Sequence, residues 1–190
     1  YALIEGLKEE QRIGVNPFKF GLSASTDTHN AIGGGVSEAS FPGHLGNGDS
    51  TPRQRVQFSG EIPGNAYNNP GGLIGVWAEE NSRDSIFDAL QRREVFGTSG
   101  PRIVPRFFGG WELPEGLCAE TDREAQAYEL GVPMGSDLNA APRGKKAPNF
   151  MIFALRDPVG ANLDRIQIVK GWLDKEGKTH EKVYDVAWSG

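Results

Sequence analysis

Two side chains near the start of the chain have the types and spacing of metal ligands. Asp27 and His29 lie in the segment 25–30 (STDTHN), directly after the apolar run Phe18 to Ala24. In extended backbone, residues two positions apart point to the same face, so a carboxylate oxygen and an imidazole nitrogen could share one divalent cation. Such chemistry is scarce here, because the sequence has only 3 histidines and 1 cysteine. The alternative is structural: Asp27 caps a turn and His29 bonds a backbone carbonyl.

A catalytic metal needs more than two ligands, because catalytic zinc usually has three from the protein and two-metal hydrolytic sites have more. His44 lies in a glycine-rich loop and is a weak candidate for a further catalytic group. Glu79 and Glu80 are candidate general bases, although acidic residues are also common at a helix N-terminus. Arg53 and Arg55 are candidates for pairing with an anionic group of a substrate.

Other functional classes find less support in the sequence. The net charge of −5 and the scattered basic residues argue against nucleic acid as the main partner. No apolar run is long enough for a transmembrane segment. Cys118 has no histidine nearby in the sequence, and His180 is interpreted as a solvated surface residue. The 4 tryptophans are interpreted as core anchors, with a carbohydrate platform as the alternative.

The elements that would position Asp27 and His29 follow from periodicity. An apolar stripe predicts a helix over Ala2 to Arg12, and alternation predicts a buried strand over Phe18 to Ala24. Residues 31–70 are rich in glycine and proline and are predicted to form a lid or binding loop. A second buried strand is predicted over Leu73 to Ala78, followed by a helix that Asn81 or Ser82 caps.

The sequence after Pro101 predicts a β-rich part. Strands are expected at 103–108, 150–155, 165–173 and 182–186, with a hairpin turn at 174–178. We therefore expect an α/β part over residues 1–100, with a long glycine-rich insert at 31–72, and a β-sandwich-like domain over 101–190.

Several sequence strings together resemble the C-terminal part of a bacterial family known as domain of unknown function 3604. They are 16–21 (NPFKFG), 25–30 (STDTHN), 75–81 (GVWAEEN), 86–90 (IFDAL), 106–111 (RFFGGW), 133–138 (PMGSDL) and 164–172 (DRIQIVKGW). That family is similar to the polymerase and histidinol phosphatase (PHP) superfamily of metal-dependent phosphoesterases and to carbamate-ester hydrolases. The resemblance implies a fold of class α/β plus β, in which the last strand/helix units of a PHP-like (β/α) barrel precede an antiparallel β-sandwich-like domain.

The resemblance also implies a function and a location. Asp27 and His29 match a motif whose aspartate and histidine bind a divalent metal (Zn, Mn or Fe) in that superfamily. The superfamily's remaining ligands would lie upstream of Tyr1, so we expect a fragment of a metal-dependent hydrolase that is inactive when isolated. Its parent would act on a small-molecule phosphoester, carboxylic ester or carbamic ester, in the bacterial periplasm or outside the cell. The rival hypothesis is a non-enzymatic module that binds glycan or protein, or serves as a scaffold.

Overall fold

The computed structural model describes residues 2–29, 31, 51–56, 71–145 and 147–189. Its helices are α1 (Ala2–Ile13), α2 (Pro52–Val56), α3 (Arg83–Gln91) and α4 (Arg123–Leu130), with a 3-10 turn at Leu117–Ala119. Its strands are β1 (Ile74–Val76), β2 (Val95–Gly97), β3 (Val104–Gly110), β4 (Val132–Pro133), β5 (Asn149–Leu155), β6 (Arg165–Leu173) and β7 (Thr179–Trp188). The chain divides into two compact units, Tyr1–Phe20 with Ala161–Gly190, and Gly21–Gly160.

The first unit consists of α1 and the antiparallel ribbon of β6 and β7. The helix packs on β6 at Gly171, where an added Cβ would lie 2.6 Å from Cγ1 of Ile4. Only glycine permits so close an approach of helix and strand. The ribbon turns at residues 174–178, as predicted, with Gly177 at φ 78°.

The second unit contains two antiparallel sheets. One pairs β1 with β2, and the other has the order β4-β3-β5. Its hydrophobic core lies under the three-stranded sheet and is formed by Phe108, Leu113, Leu117, Ala127 and Met151. Phe108 is completely buried and meets the ring of Tyr128 edge to face, with centroids 5.1 Å apart. The strand β3 is therefore the centre of this unit.

The fold class is mixed α/β with antiparallel sheets, and the described residues form no closed barrel. The predicted boundary after residue 100 falls inside the second unit. Residues on the two sides of this boundary bond each other: Nε1 of Trp77 donates to the carbonyl of Pro105, and Arg106 donates to Glu94. Among the described residues, no helix has the length and apolar character needed to cross a membrane.

The prediction of a buried strand over Phe18 to Ala24 is wrong. These residues are irregular, and Phe20 and Leu22 are exposed. The run begins in a turn, because the side-chain oxygen of Asn16 accepts a hydrogen bond from the backbone N–H of Phe18 at 2.9 Å. This bond fixes a compact Asx-type conformation where a strand would need extended backbone.

Candidate functional site

The segment that leads to Asp27 runs beside β2. A Cβ atom at Gly21 would lie 2.9 Å from Cγ2 of Val95, and one at Gly97 would lie 2.8 Å from the backbone nitrogen of Ala24. Because residue 21 neighbours residue 95 and residue 24 neighbours residue 97, the segment runs in the same direction as β2. Its position is thus that of a neighbouring strand, although its backbone is not a regular strand.

Asp27 and His29 converge on one side of the chain just beyond this segment. Oδ1 of Asp27 lies 4.0 Å from Nε2 of His29, and the side chains are 75% and 60% exposed, respectively. Asp27 has φ 53°, a left-handed conformation that aspartate tolerates better than most residues. The flanking hydroxyls of Thr26 and Thr28 bond each other at 3.4 Å. The pair is open to solvent, so a cation from solution can reach it.

The geometry of the pair fits two positions of a metal shell. Ligand atoms about 2.1 Å from a tetrahedral cation lie about 3.4 Å from each other, so a small side-chain rotation closes the gap from 4.0 Å. In the part of the chain that the structure describes, no group of three or more His, Cys, Asp or Glu side chains could hold a metal ion. The described residues therefore supply two ligands and not a complete site.

Glu79 and Glu80 lie away from this pair. Ser25 is next to Gly72, because a Cβ at Gly72 would lie 2.3 Å from the carbonyl oxygen of Ser25. Gly72 precedes β1, and the two glutamates follow it. The intervening chain, if extended at about 3.3 Å per residue, is roughly 20 Å long. Glu79 lines the cleft described next, and the structure does not bring either glutamate to Asp27 and His29.

The remaining sequence candidates are only partly described. Arg53 is exposed on α2. The side chain of Arg55 and all of His44 lie outside the described residues, so their roles stay predictions.

A buried ionic cluster that the sequence analysis did not predict lies in the second unit. Arg106 on β3 donates from Nη1 to Oε1 of Glu94 at 2.9 Å and from Nη2 to the hydroxyl of Tyr128 at 2.7 Å. The Tyr128 hydroxyl in turn donates to Glu94. The guanidinium lies 3.9 Å above the ring of Trp77. One feature of the sequence indicates this cluster: Arg106 lies inside the apolar strand β3, and a buried arginine requires a buried partner.

The cluster forms the floor of a cleft of about 630 Å³, whose rim includes Glu79, Arg92 and Ser136. Burial alone lowers the pKa of Arg106, but its hydrogen bonds to Tyr128 and Glu94 outweigh this and raise that pKa. Burial raises the pKa of the Tyr128 phenol, and the bond to Glu94 raises it further. These bonds join Glu94, which directly precedes β2, to β3 and to α4, whereas Nε of Arg106 is buried without a hydrogen-bond partner.

His180 and Trp188 also differ from their sequence interpretation. His180 Nε2 lies 2.6 Å from Oδ2 of Asp174, and its ring stacks on Trp172. His180 is thus a partly buried member of the ribbon. Trp188 is 61% exposed and is not a core anchor.

Comparison with known proteins gives a family and no function. The family model described as "Protein of unknown function (DUF3604)" matches residues 1–190. No curated protein and no solved structure matches the chain.

Proposed function

The chain belongs over its whole length to the DUF3604 family, whose description states no activity, and we propose from the site itself that it is part of a metal-dependent hydrolase. The proposed substrate is a small phosphoester, carboxylic ester or carbamic ester. The kinship with the PHP superfamily is part of the proposal, and in it the segment before Asp27 corresponds to a late strand of the (β/α) barrel.

One observation carries the proposal: a carboxylate and an imidazole converge to 4.0 Å and both remain exposed. A pair packed into an interior with no opening, or two side chains on opposite faces, would not hold a cation together. The arrangement also follows a segment that runs beside β2, the kind of place where α/β proteins gather their sites.

In this proposal Asp27 and His29 orient one face of a divalent cation of the Zn, Mn or Fe type. The cation supplies Lewis acidity and a water of lowered pKa, which is the chemistry that ester hydrolysis requires. Asp27 contributes negative charge and His29 a neutral nitrogen, so protons compete with the metal for both ligands. Further ligands must come from residues that the structure does not describe or from another part of the protein.

The test is metal analysis of the full-length protein with Asp27→Ala and His29→Ala variants. Each variant loses one ligand, so we expect metal affinity to fall at least about tenfold and hydrolysis of p-nitrophenyl phosphate and p-nitrophenyl acetate to fall with it. Thr28→Val is the matched control, because it changes the residue between the ligands and removes no metal donor. The 190-residue chain alone should hold metal weakly, since two ligands give little affinity.

Elemental analysis of the purified variants decides the outcome. Unchanged metal stoichiometry in both alanine variants rejects the proposal. A loss of hydrolysis with full metal content also rejects the assigned role, because the two properties must fall together.

A further inference from the structure

The β6–β7 ribbon has two chemically different faces. Residues alternate between the faces of a strand, and the register from Gln167↔Asp185 to Leu173↔Thr179 is continuous. One face is covered at Gly171 by α1, through Ile4. The other, here called the lysine face, carries the side chains of Ile168, Lys170, Trp172, His180, Lys182 and Tyr184.

The contacts on the lysine face form a stripe of cations and rings. Nζ of Lys170 lies 5.0 Å from the centroid of Trp172, and Nζ of Lys182 lies 4.7 Å from that of Tyr184. The Trp172 ring stacks on His180 at 5.3 Å. Tyr184 and Trp172 flank the lysines along the ribbon, which gives a stripe of roughly 13 Å at about 3.3 Å per residue.

Lys170 and Lys182 lie directly opposite each other on the paired strands. Like charges in this position destabilise a sheet. Both side chains are exposed, and no carboxylate among the described residues forms an ion pair with either of them. The carboxylates of Asp185 and Glu181 belong to the opposite face. The ammonium group of Lys170 lies against Trp172 and that of Lys182 against Tyr184, on opposite sides of the pair, so an extended chain with several carboxylates can pair with both.

We propose that the lysine face binds an acidic polysaccharide, a chain of sugar rings that carry carboxylates. The charge complementarity is local, because the protein as a whole carries a net charge of −5. That overall charge disfavours nucleic acid, whose dense phosphates demand many cationic contacts. Aromatic rings on either side of the lysines suit a chain of sugar rings, whereas a single small anion would contact only the lysines. The proposal does not depend on Asp27 or His29.

The experiment measures binding of the full chain to immobilised polygalacturonate. We expect the wild type to bind with an affinity that falls as salt rises, and neutral dextran to give no signal. Lys170→Ala and Lys182→Ala should each weaken binding about tenfold, because each removes one charge-assisted hydrogen bond to the polysaccharide. The double variant should not bind. Lys175→Ala with Lys178→Ala is the matched control, because it removes two lysines from the turn of the same ribbon.

A second pair of variants separates recognition from folding. Tyr184→Phe keeps the ring and should bind like the wild type, whereas Tyr184→Ala should bind more weakly. Circular dichroism verifies that each variant retains its fold. The proposal is overturned if the wild type fails to bind polygalacturonate, if the double lysine variant binds normally, or if a thymidine oligonucleotide binds more tightly than the polysaccharide.

Discussion

Among the ion pairs of the described residues, the most deeply buried one joins Glu94 and Arg106, and Tyr128 bonds both. Glu94 is 2% exposed and Arg106 is 4% exposed, and their 2.9 Å contact is the closest ion pair of each, with Arg92 and Glu124 as more distant partners at 3.6 Å. Removing one partner of a buried pair leaves an unpaired charge, which costs far more than the pair itself contributes.

Arg106→Met should therefore lower the free energy of unfolding by up to about 3–5 kcal/mol, since it leaves the buried Glu94 with only the half-exposed Arg92, whose Nε lies 3.6 Å from Oε2 of Glu94. Tyr128→Phe is the comparison, because it removes one hydroxyl and leaves the ion pair intact. We expect it to cost about 0.5–1.5 kcal/mol. Urea denaturation of the three proteins measures both values.

A double variant distinguishes charge from packing. Glu94→Gln combined with Arg106→Met removes both charges and should be more stable than Arg106→Met alone. If the double variant is less stable than the single one, the cost arises from lost packing on Trp77 and not from the unpaired carboxylate.

At this scale the sequence predicts only local geometry. Asp27 and His29 lie 4.0 Å apart, but Asp27 has φ 53° and no strand precedes it, so the extended backbone on which the expectation rests does not bring them together. The partners of Arg106 lie 12 and 22 residues away in sequence: Glu94 directly precedes β2, and Tyr128 lies on α4. No periodicity encodes such pairing, because it depends on tertiary packing.

Among the elements, those with strong local signals were predicted correctly. The helix α3 begins where Ser82 accepts a hydrogen bond from the N–H of Ser85, and β6 spans the residues expected. The helix α4 was not predicted, because only a short segment with weak periodicity marks it. The run from Phe18 failed because alternation of apolar residues does not reveal the turn that Asn16 imposes.

The conformation of the loop after β4 requires a glycine at position 135. Gly135 has φ 85°, and a Cβ there would lie 2.1 Å from the carbonyl oxygen of Arg93. Gly144 has a similar φ of 90° but open space around it. The two positions therefore separate the cost of backbone conformation from that of a steric clash.

Gly144→Ala should destabilise the protein by about 1–2 kcal/mol through its left-handed backbone alone. Gly135→Ala should cost about 1–3 kcal/mol more, because a backbone carbonyl cannot rotate away as a side chain can. Thermal unfolding of the two variants measures the difference. Equal melting temperatures would show that the loop shifts freely away from Arg93.

For the whole molecule, each compact unit contains an aspartate whose pKa is lowered. In the second unit, the N–H of Arg102 and then that of Val159 lower the pKa of Asp157. In the first unit, the hydrogen bond to His180 and then the N–H of Lys178 lower the pKa of Asp174. Both carboxylates therefore stabilise their units above the unfolded pKa of about 3.9.

This stabilisation should be lost as the pH falls through the folded-state pKa values, because the unfolded chain then binds more protons. We expect Asp157→Asn and Asp174→Asn to lose less stability than the wild type between pH 6 and pH 3. Chemical denaturation at several pH values provides the measurement, with Asp88→Asn on the exposed face of α3 as the control. Parallel pH curves for all four proteins would contradict the assignment.

The packing of Ile4 on Gly171 has a consequence for synthesis on the ribosome. The two residues are separated by almost the entire described chain, so α1 emerges long before β6 exists. At about 5–20 residues per second, the helix waits roughly ten to thirty seconds for its strand. During that interval the second unit, whose residues all precede β6, can complete its own core before Ile4 meets Gly171.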